Sequence, residues 1–144
     1  MSNQNQYEEN ETISYENIVN AYNRISVVLM KTPVHFSSTF NKLVGKNVYF
    51  KCENFQKTGS FKARGALNAV LSKLSRTSNV DRYNGCATHS TGNHGTALAW
   101  ACQYANISCT VVLPRDTPIV KINSVKNYGA NLEFCEPNPI SRVN

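Results

Sequence analysis

Ile107-Ser108-Cys109-Thr110-Val111-Val112-Leu113 is a short run dominated by apolar and β-branched side chains, closed by Pro114. A strand of that composition is covered on both faces and belongs in the middle of a sheet. Its flanks decide the fold. Upstream lie an alanine-rich helical stretch over residues 92–104 and a short strand over residues 86–88. Downstream, Thr117-Pro118 reads as a helix start, a cap residue followed by proline at the first position, with Gly129 as the stop. Residues 132–135 read as a further strand. Strand–helix–strand–helix–strand with short loops predicts parallel pairing and right-handed crossovers, hence the α/β class.

The N-terminal half reads differently. Ile18, Ala21, Tyr22, Ile25, Val28 and Leu29 recur at helical spacing, which predicts an amphipathic helix over residues 15–29. Thr32-Pro33 ends it, because the residue before proline is pushed toward extended geometry. Ser37 or Ser38 is placed to cap a short helix stopping at Gly45. Val48, Phe50 and Cys52 then alternate with Tyr49, Lys51 and Glu53, a strand pattern. Leu67, Val70, Leu71 and Leu74 form one helical stripe. The polar stretch over residues 75–84 lacks periodicity and reads as a linker between two lobes.

Composition narrows the function classes. With 144 residues, 41% hydrophobic and 17% charged, the chain is long enough for a packed core and too apolar for a disordered segment. No apolar run reaches membrane-spanning length. Residues 1–11 are rich in Asn, Gln and Glu and lack the apolar core of a signal peptide, so a disordered leader on a cytoplasmic protein is expected. The five cysteines are widely spaced, without a Cys-x-x-Cys pair, and read as free thiols rather than metal ligands or a disulfide framework. The net charge of +6 comes from lysines and arginines scattered singly. That pattern describes a basic surface rather than a nucleic-acid interface.

Two motifs carry chemistry. In Lys57-Thr58-Gly59-Ser60-Phe61-Lys62-Ala63-Arg64-Gly65-Ala66, Lys62 stands at a loop-to-helix junction. Free backbone N–H groups point at such a junction, and the helix dipole there disfavours a positive charge. A lysine that must shed its proton to attack a carbonyl benefits from that placement. Alone, the stretch better describes a solvated lysine at a helix start, as most such lysines are. The second motif, His89-Ser90-Thr91-Gly92-Asn93-His94-Gly95, follows a strand and opens a helix. Its glycines permit a tight turn, and its hydroxyls and N–H groups suit an anion such as a carboxylate. It lacks the spacing of the dinucleotide fingerprint and of the phosphate loop.

Taken together, Phe50-Lys51-Cys52-Glu53, the stretch from Gln56 to Ala66, and the loop from Ser90 to Gly95 resemble the serine racemase and serine/threonine dehydratase family. These are pyridoxal-phosphate enzymes of fold type II, the tryptophan-synthase-β type. The resemblance is to the eukaryotic serine racemase branch in particular and runs over about residues 13–142. It includes Thr32-Pro33, Ser37-Ser38, Tyr128-Gly129-Ala130 and Cys135-Glu136-Pro137. Cysteine synthases of the same fold match less well around both loops. The resemblance implies that Lys62 carries the cofactor and removes the α-proton of a bound amino acid. It implies that Phe61 packs near the cofactor ring and that Asn93 bonds its phenolic oxygen. Ser90, Thr91, Asn93 and His94 would grip the substrate. Ser37, Ser38, Lys57 and Thr58 match positions that contact an activating nucleotide, ATP, whereas Val19 and Thr96 depart from that pattern.

Two departures shape the expectation. The racemases place a serine where Thr91 stands, and pure dehydratases place an alanine; threonine keeps the hydroxyl but stiffens it. The family's glycine-rich phosphate loop, its partner for the pyridine nitrogen and its acidic ligands for divalent Mg or Mn lie further along than this sequence runs, and no glycine follows Gly129. The expected organisation is an incomplete parallel-sheet α/β fold. It comprises a leader (1–12), the N-terminal part of a large cofactor-binding lobe (13–77) and most of a small lobe (78–144). The expected function is serine racemisation with β-elimination to a 2-oxo acid and ammonia, weak or lost in a truncated chain. The alternatives are a non-catalytic fragment that associates with a full-length relative or forms a homodimer, and a degenerate product without function.

Overall fold

In the computed structural model, residues 12–76 and 84–138 are described. Helix α1 (Tyr15–Ile25) starts at a reciprocal cap. The Asn17 backbone N–H donates to Ser14 Oγ at 3.1 Å, and the Ser14 N–H donates to Asn17 Oδ1 at 2.8 Å. The helix is shorter than its apolar periodicity predicts. It ends at Ile25, and Val28 and Leu29 continue as turns whose N–H groups return to the Ile25 carbonyl. Three residues of the turn, Ser26-Val27-Val28, are poor helix formers, yet Leu29 still reaches the core.

Strand β1 (Val34–Phe36) pairs antiparallel with β2 (Tyr49–Lys51), in the register Val34↔Lys51, His35↔Phe50 and Phe36↔Tyr49. Periodicity alone did not reveal β1, since three residues are too few to alternate. Between the strands lies α2 (Ser38–Val44). Of the two candidate caps Ser37 performs the task, accepting from the Phe40 N–H at 3.2 Å, and Gly45 stops the helix in left-handed geometry at φ 67°. Helix α3 (Lys62–Arg76) begins at the lysine itself, five residues before its first leucine, because Ala63 and Ala66 belong to its buried face.

The second half builds the parallel unit. β3 (Gly85–His89), α4 (Asn93–Tyr104), β4 (Ser108–Pro114), α5 (Ile119–Lys126) and β5 (Asn131–Cys135) alternate, with strand order β3-β4-β5 and β4 central as expected. One local expectation fails. Thr117 does not cap α5; its hydroxyl donates instead to the Pro114 carbonyl at 2.6 Å, and Pro118 occupies the cap position. A threonine three residues after a carbonyl closes its own turn as readily as it caps a helix. Of the expected linker, residues 77–83 lie outside the described residues, as do the lobe boundary and residues 1–11 of the expected leader.

Helix α4 packs on the sheet and against α3, and it is buried nearly all round through Ala97, Leu98, Ala99, Trp100, Ala101 and Cys102. Its small side chains let α3 approach with Ala63, Ala66, Leu67 and Val70. Arg24 Nη1 donates to Asn68 Oδ1, fixing α1 to the same helix.

A polar clamp ties β2 to α3. Glu53 accepts from Arg64 Nε at 2.8 Å and Nη2 at 2.7 Å, and from the Thr32 hydroxyl at 2.6 Å. The Met30 carbonyl accepts from Arg64 Nη2 at 3.1 Å and from Gln56 Nε2 at 2.7 Å. Gln56 Oε1 takes the N–H groups of Met30 and Lys57 at 3.2 and 3.0 Å. The Arg64 guanidinium beside Glu53 holds its carboxyl below the ordinary value of 4.5 against the opposing effect of burial, and Thr32 and Lys51 act in the same direction as Arg64.

This packing sets two expectations for stability. Leu67 is fully buried, so Leu67→Ala should cost about 2–5 kcal/mol in urea denaturation. The exposed Val120→Ala should stay within about 0.5 kcal/mol. Because the folded-state pKa of Glu53 lies below its unfolded value, the clamp's stabilisation is complete above pH 4.5 and is lost as pH falls through the folded-state pKa. Glu53→Gln should therefore be less stable at neutral pH by about 1–2 kcal/mol, given that Arg64 is partly exposed. In denaturation curves the two proteins should converge below that pH; a gap persisting at low pH would assign the loss to packing instead.

Candidate functional site

Lys62 is the first residue of α3, so its position is set by the alanine-lined contact of that helix and by the clamp just described. Its side chain is exposed, with Nζ 4.9 Å from the centroid of the Phe61 ring. Among the described residues, no carboxylate and no hydrogen-bond acceptor pairs with that nitrogen. An amine in this setting is free to react at its lone pair once deprotonated.

The segment before it is strained. Thr58 adopts φ 64°, a left-handed conformation rare for a β-branched residue, and Gly59 follows at φ 71°. The Thr58 and Ser60 hydroxyls are removed from solvent and have no hydrogen-bond partner among the described residues. Buried hydroxyls without partners are uncommon and costly, and they concentrate where a ligand or an ion completes the bonding. Thr58 and Gly59 line a cleft of about 360 Å³ together with Thr96, Ser124, Asn127 and Tyr128. The lysine loop thus lies against the first turn of α4.

That first turn is the second motif. Ser90 Oγ accepts the N–H groups of Gly92 at 3.3 Å and Gly95 at 3.1 Å, which folds the loop back on the helix start. A side chain at Gly95 would be tight: a Cβ would lie 3.0 Å from the Ser90 carbonyl oxygen and 3.2 Å from Val111 Cγ1, so these neighbours would have to give by a few tenths of an ångström. Thr91, Asn93 and His94 are exposed around this turn, and the helix N-cap, Gly92, offers no side-chain acceptor. The N–H groups of Asn93 and His94 therefore face outward as at any helix start, a setting that favours an anion.

The remaining candidates divide. Ser37 is committed to capping α2 and Ser38 is exposed on its first turn; of the four proposed nucleotide contacts, only Thr58 lines the cleft. Among the described residues, no group of three His, Cys, Asp or Glu side chains has an arrangement that could hold a metal ion. Sequence reading missed Thr32, Glu53, Gln56 and Arg64 as the frame of the lysine loop. Opposite charges on either side of the loop, Glu53 and Arg64, were the available signal.

These residues fit two anchors of a carbonyl-bearing phosphate cofactor with an amino-acid substrate. Lys62 offers an amine for the carbonyl, and the α4 start offers donors for a carboxylate. A glycine-rich phosphate cradle is not among the described residues.

Residues 25–144 match the family model described as pyridoxal-phosphate dependent enzyme. The serine racemase of Dictyostelium discoideum is 46% identical over 125 residues, covering 87% of this chain and 37% of that protein. The beta-hydroxyaspartate dehydratase of Paracoccus denitrificans is 41% identical, covering 90% of this chain and 40% of the relative. A crystal structure of a pyridoxal 5'-phosphate-dependent aspartate racemase superposes with a TM-score of 0.84 at 50% identity, over 91% of this chain and 40% of that one. The chain thus spans about two-fifths of the length of the relatives it matches. With the family model covering most of its residues, the chain belongs to the pyridoxal-phosphate-dependent enzyme family.

Proposed function

We propose that this chain contributes the lysine and the substrate-carboxylate loop to an amino-acid racemase with accompanying dehydratase activity. The observation that carries this reading is the uncommitted Lys62 amine at the start of α3, with the loop before it packed on the first turn of α4. When bound, pyridoxal phosphate supplies an electron sink for the bonds at Cα. Lys62 Nζ would hold the group and accept the α-proton on one face, and the Thr91 hydroxyl would supply the exchangeable proton on the other. Phe61 would flank the cofactor and Asn93 would donate a hydrogen bond to it. Ser90, Asn93 and His94 orient the carboxylate. Serine is the proposed substrate; the hydroxyaspartate dehydratase and aspartate racemase among the similar proteins make the corresponding dicarboxylates the competing class. Nucleotide contacts at Ser37, Ser38, Lys57 and Thr58, and use of a divalent Mg or Mn ion, belong to the same proposal.

The test is a chemical map. The chain is mixed with pyridoxal phosphate, reduced with borohydride and digested. Label should be substoichiometric yet concentrated on Lys62, and Lys62→Ala should lose it; an even spread over surface lysines would overturn the assignment. In whichever assembled form turns over serine, Thr91→Ala should depress racemisation about a hundredfold while elimination persists, as loss of one acid/base group predicts. Chiral chromatography of the amino acid, alongside 2-oxo-acid release, reads both.

A second reading is favoured by a different observation. Both β1 and β2 are exposed along their length; Phe36 of β1 pairs with Tyr49 of β2 at 6.4 Å, and Phe50 of β2 pairs with Phe40 of α2 at 5.3 Å. A surface of that kind suits docking on the rest of a family chain or on a second copy. Sedimentation of the purified chain decides: a stable monomer with low affinity for a full-length relative counts against it.

A further inference from the structure

Three of the five cysteines converge under α4, on residues with no part in the proposed chemistry. Cys86 on β3 and Cys109 on β4 are register partners, so their side chains leave the same face of the parallel sheet. Cys102, in the last turn of α4, lies over that pair, and its thiol is hydrogen-bonded to both. Cys102 and Cys109 are buried and Cys86 is half-buried. Cys52 and Cys135 sit on other elements, the Cys52 thiol donating to the Phe50 carbonyl at 3.4 Å.

The three thiols are chemically unequal. The hydrogen bond to Cys109, burial and the contact with Cys86 all keep Cys102 protonated, well above the ordinary thiol range. The same hydrogen bond from Cys102 favours the thiolate of Cys109 and holds it below that range, against burial. Cys86 is the most accessible sulfur of the three, and Cys109 lies directly across the strand pair from it.

We propose that Cys86 and Cys109 form a reversible oxidation site that closes to a disulfide between β3 and β4 when a peroxide reaches it. The Cys86 sulfur attacks one peroxide oxygen, the O–O bond breaks, and Cys86 becomes a sulfenic acid with release of water. Cys109 then attacks the Cys86 sulfur, the S–O bond breaks, and the departing hydroxide takes up a thiol proton as a second water. Two thiols lose two electrons and the peroxide gains them. Neighbouring strands lie about 4.8 Å apart, inside the roughly 4.4–6.8 Å Cα window of a disulfide. The strands are also close at this end: a Cβ on Gly85, next to Cys86, would lie 2.7 Å from the Ser108 carbonyl oxygen. A bridge between parallel neighbours departs from relaxed disulfide geometry, which makes it easy to reduce and suits a reversible site.

Limited treatment of the reduced native chain with hydrogen peroxide, followed by alkylation, digestion and mass spectrometry, tests the proposal. Alkylatable thiols should fall from five to three. The lost pair should be recovered as one linked peptide joining Cys86 to Cys109, and dithiothreitol should restore all five. Cys109→Ala should leave Cys86 as a sulfenic acid that a cyclic 1,3-diketone labels. Should that variant fail to fold, oxidation of the wild-type chain in denaturant serves as the control and should scramble the pairing. Linkage through Cys52 or Cys135 in the native chain, a Cys86 sulfinic acid without linkage, or five unreacted thiols would each overturn it.

Discussion

The alanine-lined contact between α3 and α4 is the constraint on which the candidate site depends. Lys62 and the Ser90–Gly95 loop are separate in sequence and follow strands of different sheets. They come together because α3 packs on α4, with Ala63, Ala66, Leu67 and Val70 of one helix and Ala97 and Ala101 of the other in the same buried core. Larger side chains at these alanines would push the helix axes apart, since a packed interior accommodates even one methylene poorly. Each fully buried leucine or valine contributes roughly 1.5–3 kcal/mol. The same residues that stabilise the chain therefore set the spacing of its two functional loops.

The clamp around Glu53 does a different task. Helix packing fixes where α3 lies, but not how the chain enters it. Residues 52–60 are short turns with little core of their own, and Thr58 is held in a conformation that a free chain would avoid. Gln56 spans Met30 through both its amide atoms, Arg64 reaches back to Glu53 and to the same carbonyl, and Lys51 Nζ donates to the Thr32 carbonyl at 2.6 Å. Strain at Thr58 persists because this surrounding network over-determines the backbone. Glu53 and Arg64 flank the lysine without touching it, so their contribution to any chemistry there is one of position.

Much of this was legible in the sequence because it depends on short-range pattern. The run ending at Leu113 identified the central strand, Gly45 marked the end of α2, and Ser37 was one of two adjacent serines placed to cap it, whereas α5 stops at Lys126, three residues before the expected Gly129. What was not legible depended on contacts between distant residues. β1 owes its existence to β2 rather than to alternation, α1 gives way at Ser26 although its apolar spacing continues, and Thr117 chooses the Pro114 carbonyl over the helix it precedes. For the site, the motifs named Lys62 and the Ser90–Gly95 loop, but not the frame formed by Thr32, Gln56 and Arg64. Nor did they reveal that three scattered cysteines meet. Charge pairing and thiol clustering become visible only when the fold has closed the loop between them.

The two halves of the chain differ in how far they stabilise themselves. The parallel unit has a central strand covered by α4, and its core residues Val111, Leu113 and Val125 are buried without help from β1 or β2. The β1–β2 pair has no such cover: its aromatic side chains are open to solvent, and two strands alone are marginal in water. It is held instead by polar ties at its ends, the Cys52 N–H to the Pro33 carbonyl at 3.0 Å and the Glu53 clamp beyond it. Polar ties of this kind weaken when pH or salt screens them, whereas an apolar core does not. The lysine loop enters α3 directly from that less protected pair, so mild acid should loosen the entrance to Lys62 before it disturbs the asparagine loop on α4. As pH falls below 4.5, protection against amide exchange should be lost more at residues 49–60 than across α4 and β4, and an equal loss over both halves would show that the clamp is not what holds the entrance.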